Sequence, residues 1–193
     1  TEKIHGLTQF LKDTEPLWVG ITAMTGPPIK NALVLAQVVR NCYPEVPIVW
    51  GGVHPTLLPE QTLAHKLVDM VVIGEGESTV VELSKGLEDQ RDLKDIRGIG
   101  FKEGDVPIIT PLRPFYEDWD KNVTLDWNLI DIEKYVRIRN GLRNLPFITS
   151  RGCPFRCAFC WNIKGNRREW RGWTVEGVMK EVKKLKAIDI QSI

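Results

Sequence analysis

The sequence predicts an α/β fold, because short apolar runs and amphipathic helical patterns alternate along its first half. The apolar runs lack the strict alternation of a half-exposed strand and are predicted to be buried strands: residues 17–24, 48–52 and 69–74. One-face helical patterns follow them, over residues 29–43, 62–67 and 80–87. Strands and helices that alternate with short connections predict a parallel sheet with helices on both faces.

Two further patterns extend this prediction. Residues 98–101 and 107–110 flank a turn at Gly104, which predicts a hairpin at the edge of the sheet. Near the end, residues 145–150 are predicted to form a strand, a helix capped by Thr174 follows, and a new strand pattern begins at Ile188. We divide the chain into a first domain of residues 1–112, an inter-domain connection of residues 113–145 with aromatic packing anchors, and a second domain of residues 146–193.

Composition excludes several classes of protein. Hydrophobic residues make up 42% and charged residues 26%, and a formal net charge of +1 argues against a polyanion-binding tail. No run approaches the roughly 20 apolar residues that a membrane span needs. The four cysteines form no disulfide-like framework, which predicts a reducing, cytoplasmic location. Without an initiator Met, and with a strand pattern starting at its end, the chain is expected to be an internal piece of a longer protein.

Three cysteines lie close together in the segment from Cys153 through Cys157 to Cys160. Soft thiolate ligands select zinc, copper(I) or an iron–sulfur cluster. A structural zinc needs four protein ligands, and the remaining cysteine, Cys42, is remote in sequence. Three thiolates on a cluster normally held by four leave one iron open for a small molecule. A zinc knuckle completed by a distant ligand, or three unrelated thiols, are the alternatives.

The spacing of these cysteines, with Phe159 before the third, resembles the signature of the radical S-adenosylmethionine enzymes. The resemblance implies that Cys153, Cys157 and Cys160 are catalytic ligands of a [4Fe–4S] cluster. It also implies that S-adenosylmethionine chelates the open iron and that Phe159 lies against its adenine. Residues 146–193 would then begin a partial (β/α) barrel, a fold whose active sites lie at the carboxyl ends of the strands.

Glycines occur at the carboxyl ends of all three predicted parallel strands, within residues 22–26, 51–56 and 74–77. Ligands bind at this edge of such sheets, and glycine lets the backbone approach a ligand closely. Tight turns without a ligand are the alternative explanation. A dinucleotide site is disfavoured, because residues 74–79 lack the third glycine of the fingerprint and carry two carboxylates where a pyrophosphate would lie.

These strand ends resemble those of the Rossmann-like cobalamin-binding domain over residues 15–90. The resemblance implies that the following residues contact the cofactor: Thr22, Met24, Thr25, Gly26, Gly51, Gly52, His54, Thr56, Gly74, Glu75, Gly76 and Glu77. The Asp-x-His-x-x-Gly motif that can ligate cobalt is absent from the sequence. The favoured interpretation of His54 is therefore a loop histidine whose ring is hydrogen-bonded within the protein, and a cobalt ligand is the alternative.

Together the two motifs resemble the cobalamin-dependent radical S-adenosylmethionine enzymes over nearly the whole chain. The resemblance implies methyl transfer to an unactivated carbon through a 5′-deoxyadenosyl radical. Its cofactors would be a [4Fe–4S] cluster, S-adenosylmethionine and cobalamin, with a small-molecule substrate and an electron donor such as flavodoxin or ferredoxin as partners. The alternatives are an oxidative cyclase of tetrapyrrole metabolism and a non-catalytic cobalamin or iron–sulfur carrier module.

A basic segment surrounds the cysteines. Between Lys134 and Arg171 there are ten Lys or Arg residues and one acidic residue, Glu169. Such a segment attracts anions, including the methionine carboxylate, the phosphate of cobalamin or an acidic substrate, although a solvated face is the alternative. No repeated interleaving of aromatic and basic residues supports nucleic-acid binding.

Overall fold

The computed structural model describes residues 2–193, with side chains described from residue 6 onward. The chain divides into two compact units, Thr1–Phe115 and Tyr116–Ile193. The predicted boundaries at residues 112 and 145 stay a prediction. Within the described part of the chain, no helix is long and apolar enough to cross a membrane.

The first unit is a five-stranded sheet with helices. Its elements are α1 (Glu2–Thr14), β1 (Val19–Thr22), α2 (Pro28–Cys42), β2 (Ile48–Gly51), α3 (Val53–Leu57), α4 (Pro59–Leu63), β3 (Met70–Val72), α5 (Glu77–Glu88), β4 (Ile99–Glu103) and β5 (Val106–Ile109). The strand order is β1-β2-β3-β4-β5. Strands β1 to β3 are parallel, and the β4–β5 hairpin continues the sheet antiparallel to β3. The predicted α/β fold and its edge hairpin are confirmed.

The two faces of the sheet are covered by different helices, because successive strand residues point to opposite sides. Ile48 and Trp50 of β2 belong to a buried cluster that includes Ala36 of α2. Val49, between them, belongs to a second cluster that includes Leu83 of α5. Burial on both faces explains why the β2 run is continuously apolar.

The helix predicted over residues 62–67 is wrong in its position. The structure has two short helices instead, α3 and α4, which meet at Leu58. Pro59 disfavours a helical conformation in the residue before it, and Leu58 has φ −135° and ψ 60°, outside the helical region. The proline therefore ends one helix and begins the next.

The second unit contains short strands and one long helix. Its elements are α6 (Trp119–Asn122), β6 (Arg137–Arg139), β7 (Leu142–Asn144), β8 (Ser150–Arg151), α7 (Asn162–Gly165), β9 (Arg171–Gly172) and α8 (Val175–Ala187). Strands β6 and β7 form an antiparallel hairpin, and β8 and β9 form an antiparallel pair with residues 152–170 between them. Helix α8 begins at the predicted cap, where Gly177 N–H donates to Thr174 Oγ1 at 3.1 Å.

Of the strand–helix–strand unit predicted near the end, the helix forms as α8, but the two predicted strands do not extend over their predicted ranges. Asn144 and Ser192 form a parallel bridge on either side of α8. The strand predicted over residues 145–150 is wrong over most of its length, since Ser150, which forms β8 with Arg151, is the one strand residue in that range. Among the predicted aromatic anchors, Trp119 is buried in the core of this unit at 4% exposure, whereas Tyr135 is 57% exposed.

Candidate functional site

The carboxyl ends of β1 and β2 are joined by backbone hydrogen bonds just beyond the ladder. Ala23 N–H donates to Gly51 O at 2.8 Å, and His54 N–H donates to Ala23 O at 3.0 Å. Because the strands are parallel, the predicted segments 22–26, 51–56 and 74–77 all lie at this edge of the sheet. The edge therefore brings together the residues that the sequence singled out.

Thr56 joins the ends of β2 and β3. Its hydroxyl donates to Gly52 O at 2.7 Å and accepts from Gly74 N–H at 3.0 Å. Both hydrogen bonds are within the normal range for protein donors and acceptors. Thr56 thus shapes the edge through its own hydroxyl, which the sequence pattern did not indicate.

The glycines at this edge have two different roles. Gly52 has φ +93°, and a Cβ there would lie 2.7 Å from Thr22 Oγ1 and 3.1 Å from Ala23 O. Close packing against β1 therefore requires glycine at position 52 whether or not a ligand is present. At Gly26 (φ +106°) and Gly74 (φ +83°), a Cβ would meet nothing within 4 Å. Those two positions leave open space beside the backbone.

The other predicted contact residues differ in exposure. Thr22, Met24, Thr25 and Glu77 are exposed, and Gly51, Glu75 and Gly76 are partly buried. His54 is buried at 8% exposure, and its Nδ1 lies 3.3 Å from Thr25 Oγ1. This contact supports the interpretation of His54 as a histidine whose ring is hydrogen-bonded within the protein, although it lies in α3 and not in a loop.

The cysteines lie in a loop of the second unit that is closed at its base. Strand β8 ends at Arg151, and Arg151 pairs with Arg171 of β9. Residues 152–170 therefore form a loop whose two ends lie side by side. A Cβ on Gly152, which has φ +90°, would lie 1.7 Å from Glu169 O. Only glycine allows the two halves of the loop to approach this closely.

The three cysteines of the loop are free thiols. Cys157 is exposed, Cys153 and Cys160 are partly buried, and Cys160 N–H donates to Cys157 O at 2.9 Å. Phe159 is 94% exposed. In the part of the chain that the structure describes, no three His, Cys, Asp or Glu side chains are grouped closely enough to hold a metal ion. The loop brings the thiols onto one segment, and their role as cluster ligands stays a prediction.

The basic segment is partly neutralised by acids from outside it. Arg143 donates to both carboxylate oxygens of Glu133, at 3.0 and 2.5 Å, and its Nε lies 3.5 Å from Asp189 Oδ2. The hydrogen bond from Arg143 lowers the pKa of the Glu133 carboxyl. Arg151 is also engaged, since its guanidinium carbon lies 5.3 Å from the ring centroid of Trp119. The count of basic residues therefore overstates the free positive charge.

Comparison with known proteins matches both units. Residues 3–84 match the family model described as B12 binding domain. An uncharacterised methyltransferase of Pyrococcus horikoshii is 36% identical over 177 residues, which cover 91% of this chain and 38% of that protein. The anaerobic magnesium-protoporphyrin IX monomethyl ester cyclase of Rubrivivax gelatinosus is 32% identical over 179 residues, covering 90% of this chain and 31% of the cyclase.

A solved structure extends the match to the fold. The cobalamin-dependent S-adenosylmethionine radical enzyme OxsB, with aqua-cobalamin and S-adenosylmethionine bound, has a TM-score of 0.74 and 25% identity over 97% of this chain and 26% of OxsB. This chain contains a B12 binding domain, and it matches a cobalamin-dependent S-adenosylmethionine radical enzyme over nearly its whole length. It spans 38% of the methyltransferase and 31% of the cyclase. The predicted family and fold class are confirmed.

The strand-end edge suits the cofactor of this family. Residues 22–26, 51–56 and 74–77 include hydroxyls, exposed backbone and no Lys or Arg. With the carboxylates of Glu75 and Glu77, such a surface offers hydrogen-bonding groups but no positive charge, which suits the amides and hydroxyls of cobalamin better than a polyphosphate. The open space at Gly26 and Gly74 admits a ligand against the backbone. These two glycines, with Thr22 and Thr25, stay predicted as residues that would hold cobalamin.

Replacing Gly74 by leucine is expected to weaken cobalamin binding by about tenfold or more, equivalent to about 1.4 kcal/mol. The new side chain would fill the open space at the edge. Gly104→Leu is the matched control, because Gly104 also has a positive φ (+61°) and open space, but lies in the β4–β5 turn. Titration with hydroxocobalamin, followed by absorbance, measures both dissociation constants. Equal weakening in the two variants would show that Gly74 is only a turn residue.

Two residues of the cysteine loop were missed by sequence reasoning. Gly152 directly precedes Cys153, so its position beside the motif was a signal that could have been used. Asn166 gave none, because a single asparagine among basic residues has no periodicity and belongs to no motif. Its burial depends on the folding of the loop, which only the structure shows.

Proposed function

We propose that this chain supplies the cofactor-binding part of a cobalamin-dependent radical S-adenosylmethionine methyltransferase. The observation that carries the proposal is a loop with three free cysteines, closed at its base by β8 and β9, in a chain that also contains a B12 binding domain. The Pyrococcus horikoshii relative, described as an uncharacterised methyltransferase, supports methyl transfer. Substrate, electron donor and cytoplasmic location belong to the proposal and follow from the family.

In this proposal Cys153, Cys157 and Cys160 ligate a [4Fe–4S] cluster through their thiolates, the form of cysteine that binds metal. When bound, the cluster, S-adenosylmethionine and cobalamin supply the electron transfer, radical and methyl-transfer chemistry. The residues of the chain bind, orient and shield. Phe159, which is exposed in this structure, is available to lie against the adenine. A small electron-transfer protein such as flavodoxin or ferredoxin would provide the reducing equivalent.

The experiment is anaerobic reconstitution with iron and sulfide of a methyltransferase of the relatives' full length that contains this chain, since the chain spans 38% of the Pyrococcus horikoshii protein. Incubation with hydroxocobalamin, a strong reductant and S-adenosylmethionine carrying a labelled methyl group follows. Formation of 5′-deoxyadenosine together with a labelled methylated product is the expected result. Binding of both cofactors without any cleavage of S-adenosylmethionine would support a carrier module instead. Failure to form any cluster would refute the proposal.

An oxidative cyclase is the second candidate. The observation that favours it is the 32% identity with the anaerobic magnesium-protoporphyrin IX monomethyl ester cyclase of Rubrivivax gelatinosus. The same incubation separates the two, because a cyclase would form 5′-deoxyadenosine without transferring the labelled methyl group. Supplying a tetrapyrrole ester as substrate, with mass analysis of the product for ring closure, tests the cyclase directly.

A further inference from the structure

Asn166 is a buried polar residue in the returning half of the cysteine loop, with only 6% of its surface exposed. Its Oδ1 accepts from Arg171 Nη2 at 2.9 Å, and its Nδ2 donates to Asn162 Oδ1. A guanidinium can only donate, so the amide oxygen of Asn166 must face Arg171 and its nitrogen must face Asn162. Both ends of this buried amide are therefore used, as burial of a polar group requires.

Asn166 also connects to the cysteine-bearing half of the loop through the backbone. Glu169 N–H donates to Asn166 O at 2.9 Å. Glu169 O is the atom against which Gly152 packs, and Gly152 is the residue before Cys153. A continuous path of contacts thus leads from the backbone of Asn166, through Glu169 and Gly152, to Cys153.

Arg171 makes a second connection, at the base of the loop. Across the β8–β9 strand pair it faces Arg151, which lies two residues before Cys153. The Asn166 amide therefore ties the turn after α7 to the strand pair that closes the loop.

The backbone between these contacts is held in a sparsely populated conformation. Arg167 has φ +50° and Arg168 has φ +62°, both in the left-handed region that non-glycine residues rarely adopt. Such residues persist where surrounding contacts determine the conformation, and they cluster at functional sites. Asn166 stands immediately before this pair, and the Glu169 hydrogen bond immediately follows it.

We infer that Asn166 is a positioning residue, which holds the returning half of the loop so that Cys153, Cys157 and Cys160 can ligate one cluster. The inference rests on the proposed function for the identity of the bound group. The ordering of the loop by Asn166 does not depend on that identity.

The test compares two substitutions of similar shape at one position. Asn166→Leu removes both side-chain hydrogen bonds and leaves the Arg171 and Asn162 groups without this partner. Asn166→Asp keeps an acceptor for Arg171, and the Asn162 amide can rotate to donate to it. Asn162→Asp is the control at the neighbouring position, because it keeps the acceptor that Asn166 Nδ2 uses.

Two measurements are made on the purified protein. Amide hydrogen exchange of residues 152–170, without any cluster, is expected to be about tenfold faster in Asn166→Leu, while α8 exchanges at the parent rate. After anaerobic reconstitution, Asn166→Leu is expected to retain about one fifth or less of the parent's iron, with an altered electron paramagnetic resonance spectrum of the reduced cluster. Asn166→Asp and Asn162→Asp are expected to keep the parent's iron content and spectrum.

The outcomes separate this inference from the proposed function. Parent-like exchange, iron content and spectrum in Asn166→Leu would overturn the inference. Faster exchange in α8 as well would also overturn it, because Asn166 would then support the whole unit and not the loop. A parent protein that forms no cluster would refute the proposed function, while the exchange experiment would still decide whether Asn166 orders the loop.

Discussion

Replacing Cys153, Cys157 and Cys160 together by alanine is expected to abolish the [4Fe–4S] cluster, since no thiolate would remain in the loop. Cys42→Ala is the matched control, because Cys42 is the other free cysteine and lies in α2 of the first unit. It is expected to keep the parent's iron content. Iron and sulfide analysis with electron paramagnetic resonance after anaerobic reconstitution measures the effect.

The triple variant also has an internal control. Its strand-end edge lies in the first unit, so titration with hydroxocobalamin is expected to give the parent's affinity. A triple variant that still gave the parent's cluster spectrum would contradict the assignment of the ligands. Loss of the cluster in Cys42→Ala alone would show that Cys42 is a ligand and would favour a four-thiolate site.

Replacing Gly152 by alanine is expected to lower the free energy of unfolding of the second unit and to prevent cluster assembly. The added Cβ would lie 1.7 Å from Glu169 O, so the backbone must move. Overpacking and an unfavourable positive φ together cost about 2–5 kcal/mol. The two halves of the loop would separate, so the closed loop would no longer hold the three cysteines near one another.

Gly141→Ala provides the control for this prediction. Gly141 belongs to the same unit and has φ +78°, but a Cβ there would meet nothing within 4 Å. It therefore carries the conformational cost alone, about 1–2 kcal/mol, without the collision. Urea unfolding followed by tryptophan fluorescence measures both costs, and iron analysis measures assembly. If the two alanine variants were equally stable and bound the same amount of iron, the close approach at Gly152 would be irrelevant to the site.

Local patterns in the sequence were sufficient for the order of the elements. Continuous apolar runs predicted β2 and β3, because a strand buried on both faces has no polar side to present. The position of β1 was predicted in the same way, but its expected burial is wrong, since Gly20 and Thr22 are exposed. Helical periodicity placed α2 over residues 29–43, within one residue of its observed bounds at each end. The apolar pattern fails at residues 62–67, because it does not reflect that Pro59 keeps Leu58 out of the helical conformation and begins α4 at residue 59.

The sequence by itself determined which chemical groups are available: three thiols within one short loop, and glycines at three parallel strand ends. Both depend only on spacing along the chain and on the rule that parallel strands end at one edge. The tertiary structure alone decided what each group does. Gly52 packs against β1, Gly74 leaves open space, Thr56 joins two strand ends, and Gly152 allows Glu169 to approach. These roles arise from contacts between residues distant in sequence, and the direction in which a Cβ would point is set by the folded backbone, not by residue type.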